Sequence, residues 1–130
     1  MSRNVLLIED NEQNRYLATF LLEKNGYNVT AAFDGPGGVE LAQTLRPDLV
    51  LLDIQLPGMD GYAVARALRR IEALQATPII AVTSYAMVGD REKSLESGCN
   101  GYIEKPINPD TFVAEIERFV GPTSSSTPPS

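Results

Sequence analysis

The chain contains no histidine and a single cysteine, Cys99. Without an imidazole, Ser-His and Cys-His catalysis and histidine-ligated metal sites are excluded within the chain, and one thiol closes no internal disulfide. Cys99 is expected to be a small packed or half-exposed residue. Long apolar runs are also missing. Val5 to Ile8 is shorter than the ~7 to 15 residues of a signal-peptide core, and no segment approaches the ~18 apolar residues of a membrane span. Positive charge is in deficit, with 11 Lys and Arg against 17 Asp and Glu. The net charge of -6 argues against a nucleic-acid or anionic-membrane surface. These absences lead to the expectation of a cytoplasmic protein with no nucleic-acid partner and no membrane partner.

What remains is an ordinary globular composition, 43% hydrophobic and 22% charged over 130 residues. That length suits one domain burying about two thirds of its unfolded surface, and no second folded unit is expected. Short apolar runs alternate with longer stretches of helical period. NVLLIE (4 to 9) leads to an amphipathic stretch with Leu17, Phe20, Leu21 and Lys24 in step, ended by Gly26 where a glycine cap belongs. YNVTAAF (27 to 33) precedes a helix with Val39, Leu41, Ala42 and Leu45 that stops before Pro47. DLVLLD leads to a third helix with Val64, Ala65, Leu68 and Ile71, and TPIIAVTS to a fourth ending near Gly98. NGYIEK is the last strand; Asn108-Pro109 then provides a cap and first-turn proline for a fifth helix, with Phe112, Val113, Ile116, Phe119 and Val120 on its buried face.

Five strand-helix units in alternation imply a doubly wound parallel sheet with helices on both faces. Strands covered on both sides are continuously apolar, as VLLI, LVLL and IIAV are; the mixed YNVTAA suits an edge. Gly37-Gly38 is no phosphate loop, because no Gly-Lys-Ser/Thr follows, and reads as a mobile helix start. The tail GPTSSSTPPS (121 to 130) has the composition of disordered chain or of a linker remnant.

In an open parallel sheet ligands bind at the carboxyl ends of the strands. Those ends carry Glu9-Asp10, Asp53, Thr83-Ser84 and Lys105-Pro106. Two carboxylates ~4 Å apart repel by about 4 kcal/mol at an effective dielectric of 20, so three on one edge call for a compensating cation. All the candidate ligands are oxygens, which favours Mg²⁺, or Mn²⁺, over zinc. Capping of the first helix by Glu9 and Asp10, with Asp10 and Gln13 as a capping box, is the alternative for either residue alone; the third acid on the adjacent strand shifts the balance to a metal. With a cation nearby, Asp53 is an ionised carboxylate at a site able to receive a phosphoryl group. Lys105 would place a positive charge, and Thr83 a hydroxyl, beside the phosphoryl oxygens.

Four ordered motifs, LLIEDN (6 to 11), LLDIQLPGMDG (51 to 61), AVTSYA (81 to 86) and GYIEKP (101 to 106), resemble those of the receiver domains of two-component response regulators, of the single-domain kind. The resemblance covers roughly residues 4 to 120 and implies a receiver domain over 1–120, with strand order 2-1-3-4-5 and five flanking helices. It implies phosphoacceptor Asp53, and a metal held by Asp10, Asp53 and the main-chain oxygen of Gln55, with Glu9 acting directly or through water. It further implies phosphoryl contacts from Thr83, Ser84 and Lys105, a switch pair of Thr83 and Tyr102, and a cis bond before Pro106. A partner surface would include Tyr85, Met87 and Tyr102, although packing of Met87 against the last strand is as good a reading. Glu9 stands where many members have aspartate, and the Gln55 side chain would lie beside the phosphoryl group and tune its slow loss to water.

A chain with no histidine cannot be its own phosphohistidine donor, so a sensor histidine kinase or phosphotransfer protein is the expected donor. The resemblance makes the chain a regulatory phosphoacceptor rather than an enzyme. Its output is expected to be a downstream protein effector, reached through the fourth helix, fifth strand and fifth helix. A haloacid-dehalogenase phosphatase would carry Asp-x-Asp on the first strand, and a flavodoxin's first loop would not present Glu9-Asp10-Asn11-Glu12 to a phosphate. A docking module that is never phosphorylated, and a receiver excised from a longer regulator or hybrid kinase, stay open at this point.

Overall fold

The computed structural model describes residues 3–56, 60–84, 92–93 and 95–120. Its sheet has five parallel strands, β1 (Asn4–Ile8), β2 (Asn28–Ala32), β3 (Leu49–Asp53), β4 (Ile79–Thr83) and β5 (Gly101–Glu104), in the order β2-β1-β3-β4-β5. Helices α1 (Glu12–Lys24), α2 (Gly35–Leu45), α3 (Gly61–Arg69) and α4 (Phe112–Val120) surround it. The helix expected to end near Gly98 falls partly outside the described residues, and Glu92, Lys93, Leu95 and Glu96 are helical there. The tail 121–130 lies outside them.

The central strands β3 and β4 are buried at every position, because helices cover both faces and leave no solvent side for polar residues. Alternation along each strand sorts the core into two layers. Leu6, Ile8, Val50, Leu52, Ile79 and Ala81 pack with Ala42 of α2 and Val64, Ala65 and Leu68 of α3. Val5, Leu7, Leu49, Leu51, Ile80 and Ile103 pack with Ala18, Leu21 and Leu22 of α1 and Phe112 and Ile116 of α4. The mixed strand β2 lies at an edge, with its outer positions half-covered.

Several local expectations change. Helix α1 buries Ala18, Leu21 and Leu22, while Phe20, expected on the inner face, is half exposed and stacks with Tyr16 on the outer one. A residue four positions after Tyr16 shares its face, and Tyr16 is 73% exposed. The regular turns of the last helix run over Phe112–Val120, and Asn108 caps the turn that leads into them: its side chain accepts from the Asp110 N–H and its carbonyl from those of Thr111 and Phe112, with Pro109 in that first turn. Phe119 stays partly exposed. Gly38, read as a mobile helix start, is a packing position, because a Cβ there would come within 2.4 Å of Ile8 Cδ1.

Candidate functional site

Register decides which side chains meet at the carboxyl edge. Ile8 of β1 pairs with Leu52 of β3, so the next residue of each strand, Glu9 and Asp53, stand side by side; Asp53 in turn pairs with Val82, the residue before Thr83. The ladder runs one step past the strands through Glu9 N–H to Ala32 O (3.0 Å), Ile54 N–H to Val82 O (3.1 Å) and Lys105 N–H to Thr83 O (2.8 Å). The loop after β3 returns into α3 at close quarters. Asp60 caps that helix by accepting from the Tyr62 N–H, and a Cβ at Gly61 would lie 2.4 Å from Ile54 Cα, so only glycine lets the helix close on the strand end.

Asp10 does not cap α1. That position belongs to Asn11, whose side chain accepts from the Asn14 N–H at 2.9 Å. The capping-box alternative for Asp10 and Gln13 therefore falls, because the helix begins one residue later. Ligand oxygens of Glu9, Asp10 and Asp53 all lie within 4.8 Å of one another. Glu9 and Asp53 are each 2% exposed, whereas Asp10 faces solvent. The Lys105 ammonium is 3.1 Å from Asp53 Oδ2 and 3.8 Å from Glu9 Oε1. Three carboxylates against one ammonium leave an excess of negative charge.

Glu9 registers that excess. Its carboxyl is pushed up to about 7, first by burial, then by its hydrogen bond with Asp53 and by the Asp53 charge; Lys105 and the Asn11 N–H, 3.2 Å from Glu9 Oε2, pull the other way. Asp53 Oδ1 accepts from the Gln55 N–H at 2.9 Å, but buried Oδ2 has no hydrogen bond of acceptable geometry despite the nearby ammonium. A buried carboxylate oxygen whose near cation is one ammonium, facing two further acids of which one is solvent-exposed, fits a hard dication that takes carboxylates and keeps several waters.

Thr83 is buried at the end of β4, and Ser84 is exposed beside it. The Ser84 N–H donates to the side-chain Oε1 of Gln55 at 2.9 Å, tying the loop after β3 to the loop after β4. Lys105 precedes a cis peptide bond to Pro106. Tyr102 lies away from the acids on edge strand β5, where it lines a groove of about 400 Å³ with Leu95, Asn100, Glu104 and Phe119. Tyr85 and Met87, assigned to the partner surface, lie outside the described residues.

The family model for the response regulator receiver domain matches residues 5–117. The chain belongs to this family. It is 40% identical over 121 residues to the polar-differentiation response regulator DivK of Brucella anthropi, covering 93% of this chain and 98% of that protein. Its fold is similar to that of the chemotaxis protein CheY4 of Vibrio cholerae, with a TM-score of 0.88 at 28% identity over 91% of this chain and 98% of that one. It is also similar to the receiver domain of the sensor histidine kinase PA1611 of Pseudomonas aeruginosa, with a TM-score of 0.84 at 37% identity over 93% and 99% of the two chains; that domain was crystallised with magnesium coordinated in its active-site cleft. Receiver domains are regulatory phosphoacceptors that take phosphoryl groups from histidine kinases and act on downstream targets, and the family typically binds Mg²⁺. Among the described residues, no helix of this receiver domain is long and apolar enough to cross a membrane.

Two features of the receiver site escaped the sequence. The tie between the Gln55 side chain and Ser84 spans 29 residues and has no local signature. Arg15, one turn into α1, donates from Nη1 to the main-chain carbonyls of Glu9 (3.0 Å) and Asp10 (3.2 Å). Its position one helical turn after the Asn11 cap was the available signal.

Proposed function

We propose that the chain is a cytoplasmic phosphorylation switch that accepts a phosphoryl group on Asp53 from the phosphohistidine of a histidine kinase or phosphotransfer protein, in a reaction requiring Mg²⁺. The single observation that carries this reading is the 2% exposed Asp53 carboxylate, set between the Lys105 ammonium at 3.1 Å and the acids Glu9 and Asp10. Asp10, Asp53 and the main-chain oxygen of Gln55 would hold the ion, with Glu9 direct or through water. Mg²⁺, when bound, supplies the positive charge that lets two anions approach each other.

An Asp53 carboxylate oxygen forms the new O–P bond as the donor's N–P bond breaks, and the electron pair of that bond leaves with the imidazole. Lys105 neutralises charge gathering on the phosphoryl oxygens, and Thr83 and Ser84 donate hydrogen bonds to them. Asp53 then carries about two negative charges in place of one. Thr83 moves toward it, Tyr102 turns into the space vacated, and the face containing β5 and α4 changes shape for a protein effector. Slow attack of water on the aspartyl phosphate resets the switch, with the Gln55 side chain regulating its access.

Incubation with acetyl phosphate and Mg²⁺, followed by intact mass, should add one phosphoryl group to the wild type and none to Asp53→Asn or to wild type in EDTA. Equal modification of wild type and Asp53→Asn overturns the assignment.

A further inference from the structure

The acids of the site do not hold their own loop. Glu9 and Asp10 sit at the junction of β1 and α1, and Arg15 reaches back from α1 to their two consecutive main-chain carbonyls at 3.0 and 3.2 Å. The carbon of the same guanidinium lies over the Phe33 ring, 4.3 Å from its centroid. Phe33 is 64% exposed, too open to be a core residue, and follows edge strand β2. The contact given for its ring is that guanidinium. A planar cation with several donors in one plane can stack on a ring and fork to two carbonyls at once; an ammonium does one or the other well.

We propose that Arg15, seated on Phe33, is a positioning residue for the metal site, fixing the main chain of Glu9 and Asp10 so that their carboxylates converge with Asp53 on Mg²⁺. This inference rests on the metal-site reading above. Groups behind metal ligands set the ligands' orientation, and losing them typically weakens metal binding by about 10- to 100-fold. Arg15 acts through carbonyls rather than on the carboxylates, which places the expected loss near the lower end, about tenfold.

Charge and positioning predict opposite signs, which makes the idea testable. Arg15 is a cation close to a cation site, so by electrostatics alone its removal tightens Mg²⁺ binding. Its removal as a positioning residue weakens binding. Titration calorimetry with Mg²⁺ alone at low ionic strength, on wild type, Asp10→Asn, Arg15→Met, Arg15→Lys and Phe33→Leu, separates the two, with urea midpoints in EDTA for the same proteins. The expected result is about tenfold weaker binding for Arg15→Met, a smaller loss for Arg15→Lys, and about two- to fivefold for Phe33→Leu, the range that an exposed cation–π contact is worth.

Tighter or unchanged affinity in Arg15→Met overturns the proposal, as does full affinity in Phe33→Leu, a variant whose exposed site keeps the fold out of question. Should Arg15→Met fail to fold, Arg15→Lys and Phe33→Leu decide alone, both weakened for the proposal and either unchanged against it. Wild type and Asp10→Asn binding Mg²⁺ equally would instead defeat the metal-site reading and the inference with it.

Discussion

Ionising Glu9 should destabilise the metal-free protein, and titrating stability against pH is the direct way to see it. The native carboxyl is raised from 4.5 to about 7, so between those values the folded protein holds a proton that the unfolded chain has released. Stability from this group is fully present below about pH 4.5, falls as pH rises, and is gone once pH passes about 7. The span corresponds to roughly 3 kcal/mol at about 1.4 kcal/mol per unit, and at 2% exposure solvent does little to reduce it.

Urea denaturation in EDTA at half-unit steps from pH 4.5 to 8, on wild type and Glu9→Gln, isolates the Glu9 carboxyl together with its coupling to Asp53 and Lys105, because titrations away from this cluster are common to both proteins. The wild-type stability minus that of Glu9→Gln should decline by roughly 3 kcal/mol across the window. Mg²⁺ competes with that proton, so the ion should restore stability above pH 7, by about 2.7 kcal/mol at a hundredfold excess over Kd, and progressively less below it. A difference curve that is flat, or that rises with pH, would refute the reasoning that burial and the Asp53 charge together hold the proton on Glu9.

Asp10→Asn should bind Mg²⁺ more than tenfold more weakly by calorimetry while its urea midpoint in EDTA stays equal or rises, since the change removes a ligand and a repelling charge together. Lys105→Met should push the Glu9 transition above pH 7, read from the same pH-stability curves, because the ammonium at 3.8 Å is one of the groups lowering it. Arg69→Met should cost about 2 kcal/mol or more in urea, as the guanidinium donates to the part-buried carbonyls of Gly98 and Thr77, which lose that donor, while Leu74 O and Asn100 Oδ1 keep bonds from the Thr77 and Ile79 N–H groups. Cys99, 4% exposed and with its thiol pushed up to about 11, should react with a thiol reagent at pH 8 only in denaturant, and fast labelling of the native protein would contradict that burial.

The fold was legible because its signals are periodic. Continuous apolar runs marked β1, β3 and β4, and the mixed composition of β2 placed it at an edge. That the candidate residues meet was legible from their types at strand ends, since a parallel sheet brings every carboxyl end to one rim. Contacts that depend on rotation about a helix axis or on reach between loops were not. Phe20 falls within the helical period yet on the wrong side of it. The capping box at Asp10 competed with Asn11 one residue on, and a choice between adjacent caps depends on where the strand releases the chain.

The same comparison explains why an acid closes a hydrophobic strand. Val50, Leu51 and Leu52 are fully buried, and Asp53, the next residue, is buried nearly as deeply, with the Lys105 ammonium and the Gln55 N–H as partners and the acids Glu9 and Asp10 beside it. Burial makes its charge sensitive to everything nearby, since the interaction of two charges grows as the surrounding dielectric falls. At the solvent-exposed end of a loop, an added phosphoryl group would be screened within about a Debye length. At the tip of β3 its neighbours are Lys105 and the ladder that continues to Thr83 and β5, so a change of one charge acts on rigid elements rather than on water. Asp53 Oδ2 belongs to the same logic: a carboxylate this deep is not fully solvated, its one near cation is the Lys105 ammonium at 3.1 Å, and with Glu9 and Asp10 beside it a dication bound there would relieve the remaining shortfall.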